Sequence, residues 1–327
     1  MKQIRIGLIG FGLWVRNSYL PALQYDNRTI ITAVTAATEN TRRLAHKLLG
    51  DKVIIFQSYE ELLNYSELDA VMIAVPDRIH HLALSAAIDA GIPVFYEPPI
   101  ADTRDHILSM INCLVNAPQI SFADLELGYH PVIARSVQLI AQNAIGLLHN
   151  VAISLNANWG ANGDSDICLL DHMACWYIDL LNHIIGSMPE RVLVLDGYGN
   201  TGRKQTISTG IFDYSGIWGI LKANITSSAG LSLNIEITGD KGEIDINFMT
   251  GELLYRSVLQ PDWKLEICTP LQPYAEWPGV REAVSAFLDA VITPTAHRGN
   301  ASTVAKLSLI GLALEKSKDT RDWVTIL

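Results

Sequence analysis

The sequence is poor in the features that mark several large classes of protein. Only four of its 327 residues are cysteine, none lies in a CxxC pair, and their spacing is not that of a disulfide framework. Lys and Arg number 24 against 34 Asp and Glu, which argues against a nucleic-acid surface because such surfaces need basic side chains. No apolar run reaches the roughly 18 residues of a membrane helix. We expect a cytoplasmic protein with no nucleic-acid or membrane partner.

What the sequence has is apolar material, at 49% of its residues, over a length that favours two domains. Up to about residue 122, short apolar runs alternate with amphipathic segments. Strands are predicted at IRIGLIG, TIITAVTA, VIIF, DAVMIAV, PVFY and QISFAD, with helices between them, for example over 38–49 and 79–90. Strands buried on both faces and separated by helices indicate an α/β, doubly wound parallel sheet over residues 1–122.

Residues 123–327 differ from this pattern. Helices are predicted over 131–142 and 166–185, with a strand at HNVAISLNANW before the second of them. Alternating runs then follow one another through short turns: RVLVLDGYG, TISTGIFDY, IWGILKANITS, SLNIEITG and GEIDINF. This spacing is typical of an antiparallel meander. Two further helices, over 280–291 and 302–316, complete a predicted α+β domain.

A glycine turn follows the first predicted strand. Gly10 and Gly12 allow a tight turn and a close approach of backbone N–H groups to a pyrophosphate, at the start of a helix whose dipole favours the anion. The third glycine or alanine of such a turn is replaced by Val15, whose bulk would push the helix from the strand or tilt it. The turn predicts dinucleotide phosphate binding; a purely structural turn is the alternative.

The end of the second strand carries information on the cofactor. An acid that would hold the adenosine ribose is missing after Thr35, and Glu39 comes too late in the register. Arg42 and Arg43 follow on the next helix and can meet a 2′-phosphate, although both also suit a solvated helix face. We therefore expect NADP rather than NAD, with NAD as the alternative.

The segment Val75-Pro76-Asp77-Arg78-Ile79-His80, followed by GIPVFYEPPIA and the region from Asp124 to Pro131, resembles the Gfo/Idh/MocA oxidoreductases over essentially the whole chain. The resemblance implies a Rossmann domain, a C-terminal α/β domain with an open antiparallel sheet, and a homodimer or homotetramer formed through that sheet. It also implies that Pro76, His80 and Glu97 border the nicotinamide ribose.

Two positions depart from the family pattern. The lysine of its Glu-Lys-Pro motif, which lies between nicotinamide and substrate, is Pro98 here, and proline has no side-chain donor. In the long helix the family carries an Asp, a catalytic His four residues later and a second Asp three residues after that. If Asp179 is the second Asp, Trp176 takes the position of the catalytic histidine and His172 that of the first Asp. Anchoring on Asp171 places Cys175 at the histidine instead.

His172 is consequently the best remaining acid/base candidate, since an unperturbed imidazole titrates near pH 6.5. Asp171 can orient it and Tyr177 is a further possible donor, although a pocket histidine and a core tyrosine are the alternatives. The stripe formed by Cys168, His172, Cys175 and Asp179 cannot close a tetrahedral metal site from one helix, so no metal is expected.

Candidate substrate contacts come from the second domain. Trp159 and Trp176 can form an aromatic wall for a flat or apolar substrate, with ordinary core packing as the alternative. The predicted substrate-binding residues are Tyr129, Asn158, Trp159, His172 and Trp176.

The sequence therefore predicts an NAD(P)-dependent oxidoreductase that acts on a small sugar-like or flat organic substrate. The alternative is an inactive dinucleotide- or ligand-binding protein on the same fold, either a sensor or a partner subunit. The predicted cofactor-binding residues are Gly10, Phe11, Gly12, Leu13, Trp14, Ala36, Thr38, Arg42, Val75, Pro76, His80, Glu97 and Pro98.

Overall fold

The computed structural model of the chain describes residues 3–158, 175–197, 207–269, 277–294 and 296–326. Contacts divide the chain into two compact units. The first comprises Met1–Glu126 with Leu271–Ser308, and the second comprises Leu127–Pro270 with Leu309–Leu327. Each unit has its own sheet.

The first unit is built on a parallel sheet. Among the described residues six strands pair in the order β3-β2-β1-β4-β5-β6. The strands are β1 (Ile4–Ile9), β2 (Thr29–Thr35), β3 (Ile54–Phe56), β4 (Ala70–Ile73), β5 (Val94–Tyr96) and β6 (Ser121–Ala123). This order confirms the predicted α/β class, and all six strands lie within the predicted runs.

Helices connect these strands, as parallel pairing requires. Capping side chains fix where several of them begin: Thr38, Ser58 and Thr103 each accept a hydrogen bond from a backbone N–H of the first turn. The helices are α1 (Leu20–Tyr25), α2 (Glu39–Leu49), α3 (Tyr59–Leu63), α4 (Asp77–Asp89) and α5 (Arg104–Asn116).

The second unit contains the mixed sheet. Its described strands pair in the order β14-β13-β12-β11-β7-β10-β9-β8-β15. They are β7 (Leu148–Asn156), β8 (Arg191–Gly197), β9 (Ile207–Tyr214), β10 (Ile217–Asn224), β11 (Ser232–Gly239), β12 (Gly242–Asn247), β13 (Glu252–Ser257), β14 (Gln260–Ile267) and β15 (Val324–Thr325). The helices of this half of the chain are α6 (Pro131–Ala141), α7 (Cys175–Ile185), α8 (Val280–Ile292) and α9 (Ala301–Thr320).

The predicted simple meander is wrong at one place. Strand β7 lies between β10 and β11 and runs parallel to β10. The strands β10 and β11, which follow each other in the sequence, therefore do not pair. Strands β13 and β14 were not predicted at all. β14 is almost wholly exposed and contains Pro261, which suits an edge strand but hides the alternation that marks a half-buried one.

The compact units differ from the predicted limits, 1–122 and 123–327, mainly in the placement of α8. Phe287 of α8 packs against Phe95 of β5 and Phe122 of β6, at ring centroid distances of 5.4 and 5.8 Å. The backbone of Gly299 also covers the outer edge of β6, where its carbonyl accepts a hydrogen bond from the Ala123 N–H at 2.8 Å. This cover protects an otherwise open sheet edge.

Candidate dinucleotide and acid site

The turn after β1 is shaped by Gly10. This residue has φ of 100°, and a Cβ added to it would lie 2.2 Å from the carbonyl oxygen of Ala74, which follows β4. No side chain fits there, so the backbone of the turn packs directly on the end of β4. The turn therefore sits between β1 and β4, where the strand order reverses and where open α/β sheets bind their ligands.

Gly12 leaves the other side of this turn open. No atom outside the neighbouring residues lies within 4 Å of where its Cβ would be. Leu13 is 68% exposed, whereas Phe11 is buried at 2% exposure. The Gly10 N–H donates to the Thr35 hydroxyl at 3.1 Å, which ties the turn to β2. A bare backbone beside open space is the surface that a pyrophosphate needs, so these residues fit a dinucleotide.

The helix after the turn shows how the chain accommodates Val15. This side chain is completely buried, and Val15–Tyr19 form a π-helical segment before α1. A wider helical turn adds a residue without breaking the helix. The Val15 side chain, which stands at the third glycine position of the turn, is thus packed in the core of the first unit.

Polar side chains of the segment from β2 to α2 form hydrogen bonds with one another and with the backbone at the end of β2. Thr38 caps α2, and Ala36 is buried. The Arg42 guanidinium donates to the carbonyls of Ala36 and Ala37 at 3.0 Å and to Glu39 at 3.1 Å. Arg42 is therefore fixed beside the strand end, next to an acid.

His80, which the resemblance places beside the nicotinamide ribose, is buried in the first unit. It is only 2% exposed, and burial lowers its pKa to about 4, so its imidazole is neutral at physiological pH. Its Nε2 has no hydrogen-bond partner among the described residues, and its ring lies 6.2 Å from that of Tyr96. Pro76 begins α4, and Val75 approaches Gly10.

A group of buried acids lies at the ends of β5 and β6. Tyr19 donates a short hydrogen bond to Glu97, the residue after β5. Asp124 and Glu126 follow β6 and are 0% and 4% exposed, whereas Glu97 keeps partial exposure beside the buried Pro98. The two oxygens of Asp124 lie near polar groups of Glu97, Tyr19 and Trp14 but form no well-shaped hydrogen bond.

Burial dominates the charge state of this group. It raises the pKa of Glu97 well above its ordinary value, and the neighbouring Asp124 and Glu126 raise it further. Burial also raises the pKa of Asp124 to about 7. Because none of the main influences on either pKa is a cation, the acids share protons at neutral pH.

The second unit holds the predicted substrate and acid/base residues that the structure describes. Tyr177 is 5% exposed on α7, Trp176 is partly buried beside it, Asn158 is exposed after β7, and Tyr129 is partly buried. The Trp176 indole Nε1 is buried, and no part of the chain that the structure describes offers it a hydrogen-bond partner. His172, Asp171 and Trp159 lie outside the described residues.

Sequence reasoning missed Tyr19, Asp124 and Glu126. The alternation of Asp124, Leu125, Glu126 and Leu127 directly after a buried strand is a signal, because strand ends at this edge of the sheet collect functional side chains. Tyr19 gave no such signal. The sequence predicts a regular helix after the glycine turn, whereas Val15–Tyr19 form a π-helical segment, which changes the direction in which Tyr19 points.

A six-stranded sheet with this order and this glycine turn defines a Rossmann-type nucleotide-binding domain. Residues 4–123 match the family model described as "Oxidoreductase family, NAD-binding Rossmann fold". The match, which covers the first domain, confirms there the resemblance to the Gfo/Idh/MocA oxidoreductases that the sequence shows.

Individual relatives are distant. Inositol 2-dehydrogenase 1 of Saccharopolyspora erythraea is 27% identical over 108 residues, 33% of this chain and 32% of that protein. D-xylose 1-dehydrogenase (NADP(+)) 2 of Haloferax volcanii is 22% identical over a region that covers 80% of this chain and 74% of the length of that protein. A levoglucosan dehydrogenase in complex with NADH and levoglucosan superposes with a TM-score of 0.85 at 17% identity, over 99% of this chain and all of the other. The likeness to that structure concerns the fold. No helix among the described residues is long and apolar enough to cross a bilayer.

Proposed function

We propose that the protein is an NAD(P)-dependent oxidoreductase that transfers a hydride to or from a small sugar-like or polyol-like substrate. The observation that carries this proposal is the Gly10 and Gly12 turn, packed on the end of β4 and bare on its open side. The relatives support the substrate class, since their names specify inositol, xylose and levoglucosan. When bound, the nicotinamide supplies or accepts the hydride.

NADP is the proposed cofactor, with NAD as the alternative. The support is Arg42, whose guanidinium is held at the end of β2 by two backbone carbonyls and Glu39. A 2′-phosphate would compete with Glu39 for this side chain. Arg43 is 75% exposed and contacts only the same acid in the described structure, so it makes a matched control.

The residue that transfers the proton of the reaction must be different from the lysine of the family pattern, because the matching residue here is Pro98, whose side chain has no proton to donate. We propose His172, oriented by Asp171, with Tyr177 as a further donor. The partly exposed Glu97 is an additional source, because its raised pKa keeps a proton available at neutral pH. Asn158, Trp159, Trp176 and Tyr129 are proposed to contact the substrate.

The test is a fluorescence and calorimetric titration of the purified protein with NADPH and NADH. Micromolar binding is expected, weakened at least ten-fold in Gly12→Ala. Arg42→Ala should weaken NADPH more than NADH, whereas Arg43→Ala should change neither. Absence of binding up to millimolar concentrations of both cofactors would overturn the proposal. A screen of sugars and polyols with the bound cofactor then follows.

A second candidate is a dinucleotide-binding protein without catalytic activity, acting as a sensor or partner subunit. Pro98 and Trp176 motivate it, because each replaces a residue that carries protons in the family pattern. Tight cofactor binding without turnover of any screened substrate would favour this candidate. The double variant Pro98→Lys with Trp176→His would then show whether dehydrogenase activity returns.

Self-association is proposed through the exposed face of the second unit's sheet. Leu254 of β13 pairs with Leu265 of β14, and the two are 37% and 54% exposed, while Leu253 points to the buried face. Light scattering should report a homodimer or homotetramer. Leu254→Glu with Leu265→Glu should shift it to monomer, and Leu108→Glu on α5 serves as an exposed-leucine control.

A further inference from the structure

Three potential metal ligands converge on one side of the first unit. His81 belongs to α4, Asp102 to the segment after β5, and His106 to the first turn of α5. One ligand atom from each residue lies within 4.8 Å of the others. Nothing in the sequence pattern groups them, because α4 and the segment after β5 meet only when the sheet forms.

The distance between the His106 and Asp102 donor atoms is compatible with metal coordination. The Nδ1 of His106 lies 3.1 Å from Oδ1 of Asp102. Two ligands of a tetrahedral zinc ion, each about 2.0–2.1 Å from the metal, are separated by roughly 3.3 Å. His81 is stacked on His106 with ring centroids 4.0 Å apart and an interplanar angle of 20°. Binding of one ion by all three donors would require the two stacked imidazoles to rotate toward it.

A second observation concerns His81 itself. Its Nδ1 is buried and has no hydrogen-bond partner in the described structure. Leaving a buried nitrogen unsatisfied costs free energy unless a donor, a water or a metal ion meets it. The site is otherwise open to solvent, with side-chain exposures of 47% for His106 and 33% for Asp102. A cation can therefore enter, and water can complete its coordination.

We propose that His81, Asp102 and His106 form a binding site for a divalent cation of the zinc type. Two imidazoles and one carboxylate are a donor set suited to Zn²⁺, and three protein ligands leave an exchangeable position. Because Asp102 follows the segment that carries Glu97 and Pro98, the bound ion would tie this segment to α4 and α5. The site is independent of the proposed catalytic function.

The experiment is a calorimetric titration of the full chain, freed of affinity tag and stripped with chelator, with ZnCl₂ alone. One ion per chain is expected to bind with a micromolar Kd, and zinc is expected to raise the thermal midpoint of unfolding. His81→Ala, His106→Ala and Asp102→Asn should each weaken binding at least ten-fold. The matched control is His46→Ala, since His46 forms an exposed pair with Asp51, at 3.1 Å, but has no second histidine beside it among the described contacts.

Three results would overturn the proposal. The first is no zinc binding up to millimolar concentration. The second is equal binding by wild type, His81→Ala and His106→Ala, which would place the zinc elsewhere, for example on the thiol of Cys113, Cys175 or Cys268. The third is loss of binding in His46→Ala to the same extent. Far-ultraviolet circular dichroism of each variant shows that it is folded, and NADH titration of the same samples reports separately on the cofactor proposal.

Discussion

Glu97 of the first unit and Glu266 of the second are both carboxylates near the end of a strand, but they lie in opposite surroundings. Glu266 accepts hydrogen bonds from Arg135 at 2.6 and 3.0 Å and lies 3.2 Å from Lys264. The Arg135 contact lowers the pKa of Glu266 to about 2. Glu97 instead contacts Tyr19 and lies beside Asp124, with its pKa raised by burial.

This difference shows where the fold accepts a free-energy cost. The first unit holds the acids Glu97 and Asp124 at one edge of its sheet, and burial raises the pKa of each. The second unit neutralises comparable groups, as with Asp213 and Arg191 at 2.8 Å. Acids with perturbed pKa values cluster at functional sites, so this contrast supports placing the chemistry at the edge of the first sheet.

The largest effect that would sharpen this contrast is expected from Gly10→Ala. Its Cβ would meet the Ala74 carbonyl at 2.2 Å while φ stays at 100°, so the variant should lose roughly 2–4 kcal/mol of unfolding free energy. Gly12→Ala, which has open space, should lose less than about 1 kcal/mol. Urea unfolding of both variants is the measurement. Equal urea midpoints would mean that the turn holds no strain.

The next effect concerns pH. The pKa of Asp124 is about 7 in the folded chain and near 3.9 when unfolded, so between these values the folded state holds more protons. Its contribution to stability is therefore lost as pH rises from about 4 to 7 and is constant above that. Asp124→Asn removes this loss, and its stability advantage over wild type should grow by up to about 1.4 kcal/mol per pH unit across the window.

The same variant has a matched counterpart in the second unit. The Arg191 hydrogen bond lowers the pKa of Asp213, so Asp213→Asn should lose stability at neutral pH and match wild type only in acid. Urea unfolding at pH 5, 6, 7 and 8 measures both variants, and a further measurement at pH 3 enters the acid range in which Asp213 becomes protonated. If the two variants show the same pH slope, the contrast between the units is broken.

A smaller effect tests the satisfied interior of the second unit. The buried Ser317 hydroxyl accepts from the Val194 N–H at 3.0 Å and donates to the Asp322 carbonyl at 2.7 Å. Ser317→Ala leaves both backbone groups unpaired and should cost about 1–3 kcal/mol in thermal or urea unfolding. Thr320→Ala on the same helix removes an exposed hydroxyl and should change stability by less than about 0.5 kcal/mol.

The smallest effect is expected from Glu266→Gln. The half-buried pair with Arg135 should contribute about 1 kcal/mol at pH 7. Because the folded pKa of Glu266 is depressed, this contribution is present above about pH 4.5 and lost as pH falls toward 2. A double-mutant cycle with Arg135→Ala, measured at pH 7 and pH 3, isolates it. A coupling energy that is unchanged at pH 3 would show that the charge of Glu266 is not its source.

Much of the fold could be predicted because its signals are local. The apolar runs from IRIGLIG to QISFAD predict strands. Gly10 predicts a tight turn, because only a residue without a Cβ fits there. β14 escaped prediction because its exposure leaves no alternation to read. The insertion of β7 between β10 and β11 also escaped, because pairing of distant strands is a choice among segments with equivalent patterns.

The sequence by itself determined the class of fold and the place of the glycine turn after β1. Only the tertiary structure joined Tyr19 to Glu97 across 78 positions and enclosed Asp124 beside them. It also brought His81 against His106. The physical reason is that periodicity and turn chemistry act over a few neighbouring residues, whereas burial, which sets the charge of an acid, depends on every segment that packs around it.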